Sequence, residues 1–410
     1  MNTAGPPTPP QSRSTYPLTS LRFFAALLVL YHHSAWTFLP LFYARAENHG
    51  VPHGFIPTLS STFTVSVSFF FLVSGYVLSL VYLRNPQPLN LRKFFIARFA
   101  RLYPLYLVVQ TADSFDFLSR QIQLHTLPIA IVRTGEVWLA NLCLLQVWTR
   151  GLLEINPPSW TLCCEALFYL CFPVIGRRLW TLRGSRLWIA AILLYAGGQA
   201  LVFAVRPHVD ILTAHMFPLL HLSTFALGIL LARHHTLQQE RQDRPPISQS
   251  CACAVLVLSL TGLIVSVPLQ SLFHGRNPYN DGLLAPIFAG IIWSLSATPT
   301  ALSRLLCVRW LIALGNASYA LYLIHDPIRA LFQHFNWIGP VFYAVYIVLC
   351  IGLSLLSFHY FETPIRLWLV ARLERQPNRQ PVLTPPLHPT AAQTAPPQTA
   401  ESPTESRSQA

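Results

Sequence analysis

Ionisable side chains interrupt several long apolar stretches of this 410-residue chain: Arg22, His33, Arg98, Arg101, Glu165 and His325. An ionisable group in an apolar environment is costly unless it is paired or faces a cavity, so each of these positions is a candidate functional site. A histidine can act as a general base, and guanidinium groups bind carboxylates and phosphates. The residue types therefore favour proton-transfer chemistry on a substrate that carries an anionic group.

Arg22 and His33 lie eleven residues apart in the first apolar stretch. In an α-helix this spacing is roughly 16 Å along the axis and close to three full turns, so both side chains project from one face. Arg22 would then hold an anionic part of the substrate below a general base at His33. His32 points about 100° away and is the weaker candidate. Alternatively, Arg22 extends to lipid headgroups and His33 caps a helix end.

Arg98 and Arg101, at positions i and i+3, share one helix face. Two guanidinium groups there could clamp phosphates. They would serve equally well as positive charges that anchor a helix at the cytoplasmic side of a membrane.

Glu165 follows a helix start that Pro157, Pro158 and Ser159 indicate, which places it about 9 Å along that helix. A carboxylate at this depth needs a cation or a histidine, and His33 is expected at a comparable depth. The sequence therefore predicts that Glu165 lies near a cation or near His33.

Tyr322 and His325 share a face of a later apolar stretch, where His325 makes either a site contact or a structural hydrogen bond. Glu362 falls at the cytoplasmic end of the last apolar stretch and could pair with Arg366 at i+4.

The composition is that of a membrane protein. Hydrophobic residues make up 53% of the chain and charged residues only 10%, whereas soluble domains carry roughly 25% charged residues. The net charge is +13, but the basic residues form short clusters between apolar stretches, which argues against nucleic acid as a partner. The eight cysteines match no zinc or haem spacing, so no metal site is predicted and they are interpreted as small apolar residues.

The apolar pattern predicts an all-α, polytopic fold of about ten transmembrane helices between two disordered tails. The tails are residues 1–16 and 367–410, and the transmembrane domain is 17–366. Residues 127–148 are predicted to be interfacial or re-entrant, because Arg133 and Glu136 interrupt them. The predicted spans are roughly 18–39, 59–83, 95–112, 159–176, 187–205, 216–232, 251–268, 282–297, 311–331 and 341–361.

The distribution of basic residues predicts that both termini are cytoplasmic. This orientation puts most of the 28 basic residues inside. The basic residues that it leaves outside are Arg45, Arg120, Arg133, Arg150, Arg206, Arg276 and Arg329.

Together these segments resemble the acyltransferase-3 family of integral membrane acyltransferases, and they occur in family order over about residues 17–366. No single motif is specific, but their joint order and spacing are. The motifs are Leu21-Arg22-Phe23 through His33, Ser68 through Ser74-Gly75-Tyr76, Arg98-x-x-Arg101 before Tyr103-Pro104, Ser159-Trp160-Thr161-Leu162 with Glu165 and Phe168-Tyr169, Ser318-Tyr319 through His325, and Phe361-Glu362-Thr363-Pro364.

The resemblance implies that an acyl group, expected to be acetyl, moves from acyl-CoA as co-substrate to a hydroxyl of a carbohydrate or lipid-linked glycan, without a bound cofactor. It implies that His33 is the catalytic base, that Glu165 is a catalytic residue that supports the site, and that three arginines hold the donor. The donor-binding arginines are Arg22, Arg98 and Arg101. The further site candidates are Ser74, Trp160, Tyr169, Tyr322 and His325.

Two features depart from the family. Ala166 follows the glutamate where members usually carry another polar or acidic residue. In addition, no segment after residue 366 is expected to form the esterase-like domain that some members append. A direct transfer needs no covalent intermediate, although Ser74 or Cys163 could carry the acyl group.

The rival hypothesis is a proton-coupled transporter or flippase, in which buried His and Glu residues relay protons. A non-catalytic scaffold is a third hypothesis, but such a protein would not need charges inside the membrane. Aromatic residues and histidines between the spans could stack on sugars or form an interfacial belt: Trp138, Trp148, His208 and His215. The expected location is a bacterial inner membrane, with its lipids as surroundings.

Overall fold

The computed structural model describes residues 15–40, 63–85, 87–148, 155–209, 211–240, 247–269 and 278–374. These residues form helices and connecting turns, with no β-strand among them, which confirms the predicted all-α class. They all belong to a compact unit that ends at Glu374. The predicted tails lie outside the described residues up to position 14 and beyond position 374.

The α-helices of the described residues are numbered α1 to α15 in chain order. They are α1 Tyr16–Phe38, α2 Ser66–Tyr82, α3 Leu91–Leu124, α4 Leu127–Leu142, α5 Trp160–Trp180, α6 Gly184–Val205, α7 Ile211–Met216, α8 Pro218–Glu240, α9 Gln249–Leu269, α10 Ala285–Ala297, α11 Ala301–Leu306, α12 Arg309–Asn316, α13 Ser318–His334, α14 Pro340–Leu356 and α15 Thr363–Glu374.

Five helical segments in the described part of the chain are long and apolar enough to cross a membrane by length and composition, which supports an integral membrane location. A shorter apolar helix coincides with α10. The predicted total of about ten spans and the predicted orientation stay predictions. The five segments are Phe63–Tyr82, Pro157–Trp180, Gly184–His208, Gln249–Leu269 and Pro340–Glu374.

The segment from residue 91 to residue 142 differs from the predicted pattern. Helix α3 is 34 residues long and continues well past the predicted span 95–112. It begins where the Asn90 side chain accepts a hydrogen bond from the Lys93 amide. The predicted interfacial segment forms α4, which packs against α3 as the Tyr106 hydroxyl donates to the Asn141 carbonyl at 2.6 Å. The packing of α3 and α4 against each other therefore explains why both segments are helical.

Small residues allow the central helices to approach closely. At Gly75 of α2 an added Cβ would collide with the backbone carbonyl of Phe225 in α8, and at Gly228 of α8 it would collide with that of Leu72. Helices α1 and α12 meet in the same way, since a Cβ at Gly315 would collide with the Thr19 carbonyl. Such close backbone approach is typical of packing between membrane helices.

The last apolar segment contains a change of helix type. Helix α14 passes through a π-helical turn, Ser357–Glu362, into α15. The predicted domain boundary at residue 366 falls inside α15, because Leu367, Trp368 and Leu369 continue a good helix-forming sequence beyond it. The helix therefore extends eight residues further than the predicted domain.

Candidate active site

Helices α1, α2, α5 and α13 line a small cavity of about 50 Å³. Arg22 of α1 and Glu165 of α5 both line it, together with Tyr322 of α13. The remaining wall is mostly apolar and includes Phe70 and Phe71. The structure thus brings together an arginine, a carboxylate and a tyrosine that the sequence analysis selected from three separate motifs.

Glu165 is held by a neighbour on its own helix. The Tyr169 hydroxyl, one turn later, donates a hydrogen bond of 2.6 Å to Glu165 Oε2. The guanidinium group of Arg98 lies 6.0 Å from the centroid of the Tyr169 ring and 5.4 Å from that of Tyr82. Arg98 also donates from Nη2 to the Tyr82 hydroxyl at 3.1 Å, while its buried Nε has no hydrogen-bond partner among the described residues.

Glu362 joins these charged groups from the π-helical turn. The charges of Arg101, Glu165 and Glu362 all act on Arg22. The charges of Arg101 and Arg366 both act on Glu362, and the Ser357 hydroxyl donates to its Oε1 at 3.5 Å. The π-helical turn, a form often found at functional sites, directs this carboxylate toward the arginines. Spacing alone did not select Glu362 for the site because a π-turn leaves no signature in the sequence.

His33 contacts His325, a residue from the other end of the chain. His33 Nδ1 lies 2.9 Å from His325 Nε2. The two ring planes are parallel within 3°, with centroids 5.2 Å apart. That separation exceeds the N···N distance by about the two ring radii, so the rings meet edge to edge in a straight hydrogen bond rather than face to face.

The partners of His325 determine which nitrogens carry protons. His325 Nδ1 lies 2.7 Å from the Tyr322 carbonyl oxygen. A carbonyl can only accept, so the proton of neutral His325 is on Nδ1 and its Nε2 has a free lone pair. His33 must then donate to it from Nδ1, which leaves the lone pair of neutral His33 on Nε2. The arrangement prepares His33 Nε2 as a proton acceptor.

Some predicted site residues do not meet in this structure. In the described part of the chain, Glu165 bonds to Tyr169 and makes no contact with His33. Ser74 lies half-buried on α2 and does not line the cavity. Trp160 is buried, with its ring against those of His215 and His221 at 4.9 and 5.3 Å between centroids.

His215 and His221 belong to a buried ionic cluster that the sequence analysis did not identify. Asp281 accepts a contact of 3.1 Å from His215 Nδ1 and pairs with Arg206 at 2.5 Å. Burial raises the pKa of the Asp281 carboxyl, but the hydrogen bond from His215 and the neighbouring His and Arg charges outweigh burial and lower this pKa below its ordinary value.

Potential ligand atoms of His215, His221 and Asp281 lie within 4.8 Å of one another, a spacing that would admit a metal ion. Arg206 already supplies the counter-charge of Asp281, and a divalent cation would add uncompensated positive charge. We therefore interpret the cluster as a structural ion network that joins the ends of α6 and α8 to the segment before α10.

The geometry describes a site in which an oriented imidazole, a carboxylate and several arginines lie among apolar helices. Residues 16–359 match the family model described as an acyltransferase domain. The chain belongs to this acyltransferase family, and it is a membrane acyltransferase. This agrees with the resemblance found in the sequence motifs.

Two known bacterial proteins have related sequences. The acyltransferase MdmB of Streptomyces mycarofaciens is 29% identical over 335 residues, which cover 77% of this chain and 79% of that protein. The O-acetyltransferase OatA of Staphylococcus aureus is 24% identical over 320 residues, which cover 74% of this chain and 52% of OatA. The chain thus spans about half the length of the staphylococcal relative. No solved structure matches the chain.

Proposed function

We propose that this protein transfers an acetyl group from acetyl-CoA to a hydroxyl of a carbohydrate or lipid-linked glycan at a bacterial inner membrane. The observation that carries the proposal is the hydrogen bond between His33 and His325, which presents His33 Nε2 as a base. The family assignment supports acyl transfer, and a relative named as an O-acetyltransferase supports a hydroxyl acceptor and an acetyl group.

In this reaction His33 Nε2 takes the proton of the acceptor hydroxyl as the oxygen attacks the thioester carbonyl. A C–O bond forms, the C–S bond breaks, and the proton passes from His33 to the sulfur of the departing CoA. Because Ser74 does not line the cavity, we propose direct transfer without an acyl-enzyme. The acyl group would react between the cavity and the histidine pair. Tyr322 contacts both, since its side chain lines the cavity and its carbonyl oxygen accepts the hydrogen bond from His325.

The three arginines would contact different parts of the donor. Arg22 lines the cavity and would lie near the acyl end, while Arg98 and Arg101 would contact the donor closer to the cytoplasm. The free Nε–H of Arg98 is a buried donor available to an anionic or carbonyl oxygen. Glu165, held by Tyr169, balances the positive charge of these groups.

The proposal is tested by following labelled acetyl from acetyl-CoA into the glycans of isolated membranes, with mass spectrometry to locate the ester. Membranes with the wild-type protein should produce O-acetylated glycan, and membranes with His33→Ala should not. His32→Ala is the matched control, since it removes the adjacent imidazole but not the hydrogen bond to His325. Substrate counterflow without any acetylated product would instead indicate a transporter and refute the proposal.

A further inference from the structure

A second, larger cavity opens where α2, α5 and α8 end and α6 begins. It has a volume of about 570 Å³, within the size range of pockets that hold nucleotides and other small ligands. Four arginines line it, and its described lining contains no Asp or Glu residue. We call it the arginine cavity, and its arginines are Arg84, Arg177, Arg183 and Arg233.

Neutral groups orient three of these guanidinium groups without neutralising them. Arg84 donates to the side-chain oxygen of Gln239 at 3.1 Å, and Arg177 donates to the Leu89 carbonyl at 3.4 Å. Arg233 donates from Nε to the Leu182 carbonyl, also at 3.4 Å. Carbonyl and amide acceptors fix direction but leave the positive charge available to an anion.

Arg233 makes the strongest case for an anionic ligand. Its side chain is 6% exposed, and its guanidinium group lies 5.3 Å from the centroid of the Trp180 ring. The nearest carboxylate that the described residues offer is Glu240, at 4.0 Å and 54% exposed. A pair at that distance and exposure contributes little, so a buried cation beside three others is costly unless an anion enters.

The arginine cavity is connected to the candidate active site by direct contacts. Tyr82 lines the arginine cavity and accepts the hydrogen bond from Arg98. Arg98 lies against Tyr169, which donates to Glu165 in the wall of the small cavity. A row of contacting side chains therefore runs from the arginine cavity to the candidate active site.

We propose that the arginine cavity binds the phosphate groups at the nucleotide end of the acyl-CoA donor. This inference rests on the proposed function, which requires such a donor. Coenzyme A carries a 3′-phosphate and a pyrophosphate on its nucleotide and a long, neutral arm that ends in the thioester. Its phosphates suit the four guanidinium groups, three of which are oriented by neutral acceptors, and its arm would extend along the contacts from Tyr82 to Glu165.

Phosphate chemistry is shared with the headgroups of anionic lipids. We assign the cavity to the nucleotide because the lining includes the buried Arg233 and because Tyr82 connects it to the active site. The two sources are separated by keeping the protein in nanodiscs of neutral phosphatidylcholine, where a lipid headgroup with net negative charge is absent.

The experiment measures the dissociation constants of CoA, dephospho-CoA and pantetheine for the full-length protein in these nanodiscs by calorimetry. Arg84→Gln and Arg177→Gln together should weaken CoA binding by about tenfold or more, since each removes a charge-assisted contact. Pantetheine, which has no phosphate, should bind equally to wild type and variant. Both arginines are exposed, so the variant should fold; Arg233→Gln is the second variant, accepted if its unfolding temperature is that of wild type.

Arg178→Gln is the matched control, because Arg178 is exposed and adjacent to Arg177 but does not line the cavity. It should leave CoA affinity within about twofold of wild type. Equal CoA affinity in wild type and the cavity variants would overturn the inference, and so would an equal loss in Arg178→Gln. If the cavity variants bind CoA as wild type does but bind less phosphatidylglycerol when this lipid is added to the nanodiscs, the cavity binds lipid and the inference fails.

These outcomes are separable from failure of the proposed function. If the variants keep their CoA affinity and still transfer acetyl, the assignment of the cavity is wrong but the proposed function is not affected. A wild-type protein that neither binds CoA nor transfers acetyl refutes both.

Discussion

A neutral imidazole has two tautomers, and hydrogen bonds select between them at the scale of single residues. Here the Tyr322 carbonyl fixes the proton of His325, and His325 in turn fixes the proton of His33. The Tyr346 hydroxyl also donates to the His325 carbonyl at 3.0 Å, which holds the backbone of the relay in place. In the proposed mechanism His325 is therefore a positioning residue that acts through His33.

Replacement of His325 should distinguish its hydrogen-bonding role from simple packing. The side-chain oxygen of glutamine can replace the acceptor Nε2, whereas that of asparagine replaces Nδ1. We expect His325→Asn to lower the turnover number by about 10- to 100-fold, the usual cost of losing a group that orients a site residue. His325→Gln should recover most of this loss in the same steady-state assay. Equal turnover in the two variants would contradict the relay.

At the scale of elements, the site depends on helices that approach closely. Gly75 and Gly228 let α2 and α8 touch through their backbones. This contact positions the part of α2 that supplies Phe70 and Phe71 to the cavity. The ionic cluster around Asp281 fixes a different set of helix ends. The helix contact and the ionic cluster are both structural features, and both can be tested by measuring the stability of variants.

Gly75→Ala should destabilise the protein, because the new methyl group collides with the Phe225 carbonyl and forces α2 and α8 apart. We expect a loss of about 1–3 kcal/mol, measured as a lower unfolding temperature in detergent micelles. Gly197→Ala in α6 is the matched control, as a Cβ there meets nothing within 4 Å. It should be neutral or stabilise by up to about 1 kcal/mol. Similar destabilisation by both changes would count against the close crossing.

The Asp281 cluster predicts a dependence of stability on pH. Because its carboxyl pKa is lower in the folded protein than in the unfolded chain, the cluster stabilises the fold at neutral pH. That contribution decreases as the pH falls below about 4, the ordinary carboxyl value, toward the lower folded value. Asp281→Asn should therefore lower the unfolding temperature at pH 7. On acidification the unfolding temperature of this variant should fall less than that of wild type.

Asp116→Asn is the control for this change, because the Asp116–Arg120 pair is about half exposed at 3.1 Å. Its removal should cost less than about 1 kcal/mol, against about 3 kcal/mol for a buried ion pair. An Asp281 variant that follows the wild-type pH curve would show that the cluster does not stabilise the fold.

At the scale of the whole molecule, the donor and the acceptor of the proposed reaction must reach the site from opposite sides of the membrane. The proposed reaction requires the arginine cavity to face the cytoplasm, where CoA is made, and the acceptor to approach from the other side. Arg178 lies beside the arginine cavity, and the exposed His208 lies near the ionic cluster at the end of α6. The side of the membrane on which each of these two residues lies tests the orientation that the basic residues predict.

Single cysteines at positions 178 and 208, in a chain whose eight native cysteines are replaced by alanine or serine, should label differently. A membrane-impermeant maleimide added to intact cells should modify position 208 and leave position 178 unmodified until the cells are opened. Labelling of position 178 in intact cells would place the arginine cavity outside and exclude the proposed donor route.

The all-helical class and the presence of membrane-spanning helices were predictable, because apolar length is a strong signal of membrane helices. Arg22, His33 and Glu165 were selected because charge inside an apolar stretch is costly. The pairing of His33 with His325 was not predictable, since it joins residues far apart in sequence. The π-turn at Glu362 and the ionic cluster at Asp281 depend on backbone geometry and tertiary contacts that periodicity does not encode.

The turnover number of His33→Gln, measured with labelled acetyl-CoA and the glycan acceptor, tests the central claim most directly. Loss of a general base should lower turnover by about 10²- to 10⁴-fold, while CoA affinity and unfolding temperature stay at their wild-type values. If His33→Gln transfers acetyl at close to the wild-type rate, His33 is not the base and the mechanism is wrong.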